Sequence, residues 1–380
     1  MTLVDWRKGG KLISVQEKLL RERNVYLEQL VPAQMDYADL MFPHPYLSFV
    51  HNPAVRVNTV QINNIGLLGH DMPMKKEPGV FVILLTGGSV ASQLAGLRVE
   101  QNELERELNA HYRTGDIKRF IVLNGGVGAW HQPQQFMLFA LYAQVLDGVI
   151  TLDGFNERYV VTSPNRSFEF PADNYFVAMT NQYGSSESVL PLWIDGKLLK
   201  LQQRVWLLHH SRLCYFVVSQ LRAWARGAYV TQGSMRIQPT TQAITERLLA
   251  PTGSWTKEEK WQLAISEYQK YIRMMNVIAE SRQIRRLFLI QPVPALGKRL
   301  TADERKVVGD LSYGAAYQRM TDRLLQLKGE RVPIYSLLDV FDRSTDSLYQ
   351  DAVHVSSEGN RIMVRRILEL LEREWGFVRN

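Results

Sequence analysis

Hydrophobic positions fall first into short unbroken runs. Val80-Phe-Val-Ile-Leu-Leu85 is apolar throughout and ends in Thr-Gly-Gly-Ser, the pattern of a strand buried on both faces of a parallel sheet. Leucines at 94, 97, 104 and 108 then predict a helix. A second run, Phe120 to Leu123, ends in Asn-Gly-Gly-Val-Gly. Pro133 opens a helix through Phe136, Leu138, Leu141 and Val145, since proline is tolerated in a first turn. A third run, Val149 to Leu152, ends in Asp-Gly-Phe-Asn-Glu. Three strand–loop–helix units in succession predict an α/β fold with a parallel sheet.

The rhythm breaks over residues 160–284. Amphipathic patterns run around Leu198 to Ala225, and a longer helix opens at Thr256. Thr256 and Glu259 have capping-box spacing, and Trp261, Ile265, Tyr268, Ile272 and Met275 follow at helical intervals. The sheet pattern resumes at Leu287 to Ile290, with a helix over Ala302 to Leu327, a strand at Pro333 to Leu338 and a last helix over Ser357 to Trp375. Before Val80, a helical piece at Val15 to Leu30 gives way to prolines at 32, 43, 45 and 53. Residues 1–75 therefore read as an irregular extension.

Composition narrows the class. Of 380 residues, 46% are hydrophobic and 22% charged, which excludes a disordered or collagen-like chain. The single cysteine, Cys214, excludes an internal disulfide; it reads as a buried small hydrophobe. Trp206, Tyr215, Phe216 and Trp224 share its helical stretch and read as core. The net charge of +7 is mild, with basic residues scattered in short groups, so no nucleic-acid partner is expected. Met1 to Leu20 is charged throughout and no apolar run approaches the ~20 residues of a bilayer span. No signal peptide or membrane span is expected, and the cytoplasm is the default compartment.

Ligands of such sheets bind beyond the C-terminal strand ends. Three ends carry Gly-Gly-Ser89, Asn124-Gly-Gly-Val-Gly-Ala129 and Gly154-Phe-Asn156, and a fourth polar group is Asp351-Ala-Val-His354. Each alone is an ordinary turn, cap or ion pair. Together they supply a nucleophile, Ser89, a base, His354, and a carboxylate, Asp351, able to orient that base. The Ser89 amide, an amide of the Gly128–Ala129 turn and the Asn156 carboxamide could meet an oxyanion. An α/β-hydrolase is disfavoured: Gly-x-Ser-x-Gly is absent and Asp351 lies only three residues before His354. His209 and His210 are adjacent, with no third ligand suitably spaced, so no metal is expected.

The blocks Leu85-Thr-Gly-Gly-Ser89-Val-Ala, Asn124-Gly-Gly-Val-Gly-Ala-Trp130, Asp153-Gly-Phe-Asn156-Glu and Tyr349-Gln-Asp351-Ala-Val-His354 resemble, in order, those of the SGNH (GDSL-type) hydrolases. The resemblance implies a three-layer α/β/α flavodoxin-like sandwich with a central parallel sheet. Its core would comprise 76–160 and 285–380, with 1–75 packed on it and a mainly helical insertion, 161–284, as lid or substrate wall. It implies a cofactor-free serine esterase acting on a small-molecule or glycan ester. Ser89 would be nucleophile, His354 base, Asp351 its partner, and Ser89, Asn156 and Ala129 or Gly128 the oxyanion donors. Trp130 and His131 are candidate substrate contacts. Trp130-His-Gln-Pro-Gln-Gln135 is similar to a stretch in one bacterial branch whose members are often membrane-anchored and exported, which leaves export open. Gly88 and Glu157 stand where the family usually has aspartate, and Ala129 where it has glycine. These departures are what a degenerate binding or scaffold protein of the same fold would show. Acyl transfer to a surface polysaccharide is the other alternative.

Overall fold

The computed structural model describes residues 41–52, 60–162, 205–232 and 255–379, with positions 194, 197, 198 and 201. The chain divides into two compact units, a smaller one of Met1–Leu30 with Val177–Ala243 and a larger one of Val31–Phe176 with Ile244–Asn380. The helix expected over Val15 to Leu30 lies outside the described residues.

The larger unit is built on a parallel sheet of β3 (Val80–Gly87), β4 (Arg119–Gly126), β5 (Gly148–Asp153), β6 (Arg285–Ile290) and β7 (Ile334–Ser336). Their order in space is β4-β3-β5-β6-β7. Counting these strands alone, that is 2-1-3-4-5, the flavodoxin-like order. The apolar runs are the strands, because a strand covered on both faces has no polar side to alternate with: Ile83, Leu84, Leu85, Val149, Ile150 and Leu152 are all fully buried.

Two adjacent glycines on β4 show the layering. A Cβ on Gly126 would meet Ala91 and Ser92 of α1 (Ser89–Leu94), and one on Gly125 would meet Leu138 of α3 (Gln134–Tyr142). Successive strand residues face opposite sides, so α1 and α3 cover opposite faces. With α1 go α2 (Glu103–His111) and α10 (Ser357–Trp375); with α3 go α7 (Lys257–Ser281) and, beyond it, α4 (Phe155–Thr162) and α9 (Gly314–Leu325). The result is the expected three-layer sandwich.

Helix α7 begins where the sequence places it. The Thr256 hydroxyl accepts from the Glu259 amide at 3.2 Å, and the Glu259 carboxylate accepts from the Thr256 amide at 2.7 Å. Its apolar stripe, Trp261, Ile265, Tyr268, Ile272 and Met275, is buried. The helix packs against α3, α4, α9 and β6, so residues 257–281 of the segment assigned to the insertion pack with the sandwich.

Four expectations need correction. The helix expected through leucines 94, 97, 104 and 108 is two, α1 and α2, parted by a stretch in which Gly96 stands at φ +80°. The helix over Ala302 to Leu327 is two helices, α8 (Glu304–Val307) and α9. Gly309, at φ +69°, turns the chain between them, and Asp310 accepts from the Ser312 amide. The proline-rich extension holds a hairpin of β1 (Met41–His44) and β2 (Ser48–His51); Pro43 is tolerated because this two-stranded piece is all edge. In the smaller unit, α5 (Trp206–His210) and α6 (Arg212–Gln232) are helical as expected. Yet Trp206 and Trp224, read as core, are 67% and 65% exposed, and Cys214 is only half-buried.

Candidate active site

Ser89 is the first residue of α1, directly beyond β3. The turn that delivers it is wedged tightly. A Cβ on Gly87 would lie 2.1 Å from the Leu152 carbonyl oxygen, and one on Gly88 would lie 2.3 Å from Asn156 Nδ2. Glycine at 88 therefore lets the Asn156 carboxamide close over the turn, where a larger residue would hold it off. Gly88→Ala is expected to displace that carboxamide and lower kcat about 10²–10³-fold with little change in KM, consistent with losing one oxyanion donor. Steady-state kinetics on an aryl acetate would check this; an unaltered kcat would mean that Asn156 does not act on the reacting atoms.

The Ser89 hydroxyl lies 2.7 Å from His354 Nε2, and His354 Nδ1 lies 2.7 Å from Asp351 Oδ2. The second carboxylate oxygen, Oδ1, accepts from the backbone amides of Val353 and His354 at 2.8 and 2.7 Å. Burial alone would push the Asp351 pKa up. The hydrogen bond and charge of His354, with the two amides, outweigh it and hold the carboxyl at about 2. An ionised Asp351 fixes the tautomer with hydrogen on Nδ1, leaving Nε2 to accept from the serine.

The candidate oxyanion donors lie on two loops. Trp130 N donates to Val127 O at 3.1 Å, closing a turn in which Ala129 stands at φ +65°. A positive φ at the third turn position is normally glycine's, and here Ala129 adopts it. Ala129 N and Ser89 N have no hydrogen-bond acceptor among the described residues. Asn156 Nδ2 uses one hydrogen on Trp130 O at 2.7 Å, which leaves its second for a ligand. Ser89, Gly128, Ala129, Asn156 and Asp351 are all half-exposed.

Trp130 and His131 are placed differently. Trp130 is fully buried and donates through Nε1 to Phe49 O of β2; His131 is 3% exposed. Gln134 Nε2 likewise donates to Leu47 O. Trp130 and Gln134 fasten the loop to the hairpin, and buried Trp130 and His131 do not present a surface to a substrate.

Glu157, read from the sequence only as a departure, has a visible task. Its carboxylate accepts from Gln132 N at 3.1 Å and from Gly154 N at 2.9 Å, bridging the two loops that carry Ala129 and Asn156. Asp153 beside it accepts from Gln132 Nε2 at 3.3 Å. Burial raises Glu157 to about 7 against the pull of those amides. Burial and the Glu157 charge push Asp153 well above its ordinary value, so the pair holds a proton at neutral pH. A carboxyl raised in the folded state contributes stability that is fully present below its unfolded value near 4.5 and is lost as pH rises through about 7. Thermal melts should therefore show wild type losing stability between pH 4.5 and 8, with a slope that Glu157→Gln makes shallower while buried Asp153 keeps the remainder. Parallel slopes in the two proteins would contradict the assignment.

Among the described residues no cluster of three His, Cys, Asp or Glu could hold a metal ion, and no helix is long and apolar enough to cross a membrane.

No protein-family model matches the chain, and no curated protein matches it. Among solved structures it is similar to a GDSL-like lipase from Bacteroides thetaiotaomicron VPI-5482, at 10% identity and a TM-score of 0.36, over 77% of this chain and 88% of that one. It is also similar to the acetylxylan esterase Axe2 from Geobacillus stearothermophilus, in a catalytic mutant, at 12% identity and TM-score 0.37, over 78% and 95%. A third is LAE5, an alpha/beta hydrolase enzyme from the metagenome of Lake Arreo, at 10% and 0.35, over 79% and 97%. Identities and TM-scores this low say nothing of activity or substrate, so the functional reading rests on the side chains of the site.

Proposed function

We propose that the protein is a serine-dependent ester hydrolase working through an acyl-enzyme. The observation that carries the reading is the unbroken chain from Ser89 Oγ through both nitrogens of His354 to Asp351, each link 2.7 Å. Ser89 Oγ attacks the acyl carbonyl carbon as its proton passes to His354 Nε2. Charge developing on the carbonyl oxygen meets the amides of Ser89 and Ala129 and the free hydrogen of Asn156 Nδ2, each such donor contributing roughly 10²–10³ in rate. Collapse expels the alcohol, which takes the proton from Nε2. Water then repeats the sequence on the acyl-enzyme, releasing acid and restoring Ser89. The departures from the family pattern support retained chemistry: glycine at 88 admits Asn156, Ala129 keeps the positive φ, and Glu157 ties the loops.

Labelling with a fluorophosphonate tests this. Wild type should be modified stoichiometrically and Ser89→Ala not at all. A folded wild type that resists the probe would defeat the reading.

A further inference from the structure

Helix α6 of the smaller unit is turned unusually. At 3.6 residues per turn, Tyr215, Val218, Arg222 and Ala225 share one side, and all are buried. The opposite side is just as apolar. Leu213, Phe216, Val217, Leu221 and Trp224 fall within an arc of about 140° and are 73%, 44%, 48%, 47% and 65% exposed. Leu207 of the preceding α5 is 55% exposed as well. Exposed large apolar residues gathered on one face mark an interaction surface.

The charge pattern says what kind. Met1–Leu30 and Val177–Ala243, the segments of this unit, hold 13 Lys and Arg against 6 Asp and Glu; the rest of the chain is balanced at 32 of each. The protein's whole excess of +7 therefore belongs to the unit that carries the apolar face. From 196 to 245 there are seven Lys and Arg and not one Asp or Glu. Arg212 is exposed beside that face.

We propose that this unit docks on an anionic lipid surface, with the Leu213–Trp224 face of α6 sunk among the acyl chains and its arginines and lysines on the headgroups. Apolar area flanked by cations is the composition of helices that lie in the plane of a bilayer, and long cationic side chains reach the headgroups from such a position. No helix among the described residues can span the membrane, so the contact is peripheral. A second copy fits the same face poorly, because an isologous contact would bring two units of excess positive charge together. A nucleic acid would use the charge but leave the leucines and Val217 without partners.

The experiment is sedimentation of the full chain with vesicles of phosphatidylcholine alone or with phosphatidylglycerol. Binding is expected only with phosphatidylglycerol, weakening as salt rises, with a blue shift in tryptophan emission. Leu213→Ser with Trp224→Ser should reduce partitioning at least 10-fold while circular dichroism and fluorophosphonate labelling stay as in wild type. Trp224→Phe, which keeps the apolar bulk, should retain most of the binding. Three results would overturn the proposal: no binding by folded wild type, vesicle binding indifferent to the double substitution, or binding to duplex DNA or self-association in place of vesicles.

Discussion

His354→Ala is expected to lower kcat about 10⁴–10⁶-fold with a smaller change in KM, because it removes the only base within reach of Ser89 among the described residues. Asp351→Asn should cost less, about 10²–10⁴-fold. Its carboxamide can still accept from the Val353 and His354 amides but no longer offers His354 Nδ1 a charge, and the carboxylate is partly open to solvent. The order matters more than the values. An Asp351→Asn enzyme as slow as His354→Ala would mean that the carboxylate does more than orient and charge-stabilise the imidazole. A His354→Ala enzyme within 10-fold of wild type would remove the proposed mechanism. Hydrolysis of p-nitrophenyl acetate, corrected for the buffer reaction, gives both numbers.

The second large effect is on stability and lies away from the reacting atoms. Lys298 Nζ meets Glu304 Oε2 at 2.8 Å, and both side chains are fully buried. The other oxygen of Glu304 accepts from Leu348 N and Tyr349 N at 2.8 and 3.0 Å, two residues short of Asp351. Burial opposes ionisation of Glu304, but Lys298 and the backbone amides outweigh it and hold the carboxyl low. Glu304→Ala leaves the buried Lys298 ammonium with only the Arg299 carbonyl, at 3.3 Å, among the described residues, and takes the acceptor from the amides of Thr301, Leu348 and Tyr349. Removal of one member of such a pair costs about 3–5 kcal/mol. Chemical denaturation should show that loss, together with reduced kcat, since the loop carrying Asp351 and His354 loses its anchor. Lys298→Met with Glu304→Leu, which removes both charges, should recover part of the stability but not the amide contacts. If Glu304→Ala costs under 1 kcal/mol, the pair is not the anchor described.

Much of this was legible in the sequence because it depends on local pattern. Short apolar runs closed by glycine-rich turns read as strands covered on both sides, and three polar blocks sit at the ends of such runs, so Ser89, the Gly128–Ala129 turn and Asn156 could be brought to one edge without coordinates; Asp351 and His354 were joined to them by their chemistry. The Thr256 capping box is equally local. What escaped has partners distant in sequence or depends on the backbone. Glu157 reaches Gln132, and Glu304 reaches Leu348 and Tyr349; a carboxylate's value as a brace cannot be read from its neighbours in the chain. The hairpin at 41–51 was hidden by prolines that elsewhere break strands. The exposed tryptophans of α5 and α6 were misread because helical periodicity shows two apolar sides without saying which one is covered.

Ser89 and His354 are separated by 265 positions in the chain. During synthesis at roughly 5–20 residues per second, that interval corresponds to about 13–53 s. Helix α10, which follows His354 and packs on α1, must also leave the ribosome before it can seat against the helix that begins with the serine. Ser89 is thus synthesised well before the His354 that the proposal makes its base. On the proposed mechanism, hydrolytic competence arrives all at once, when the segment holding His354 and α10 has been made, and chains stopped before it have none.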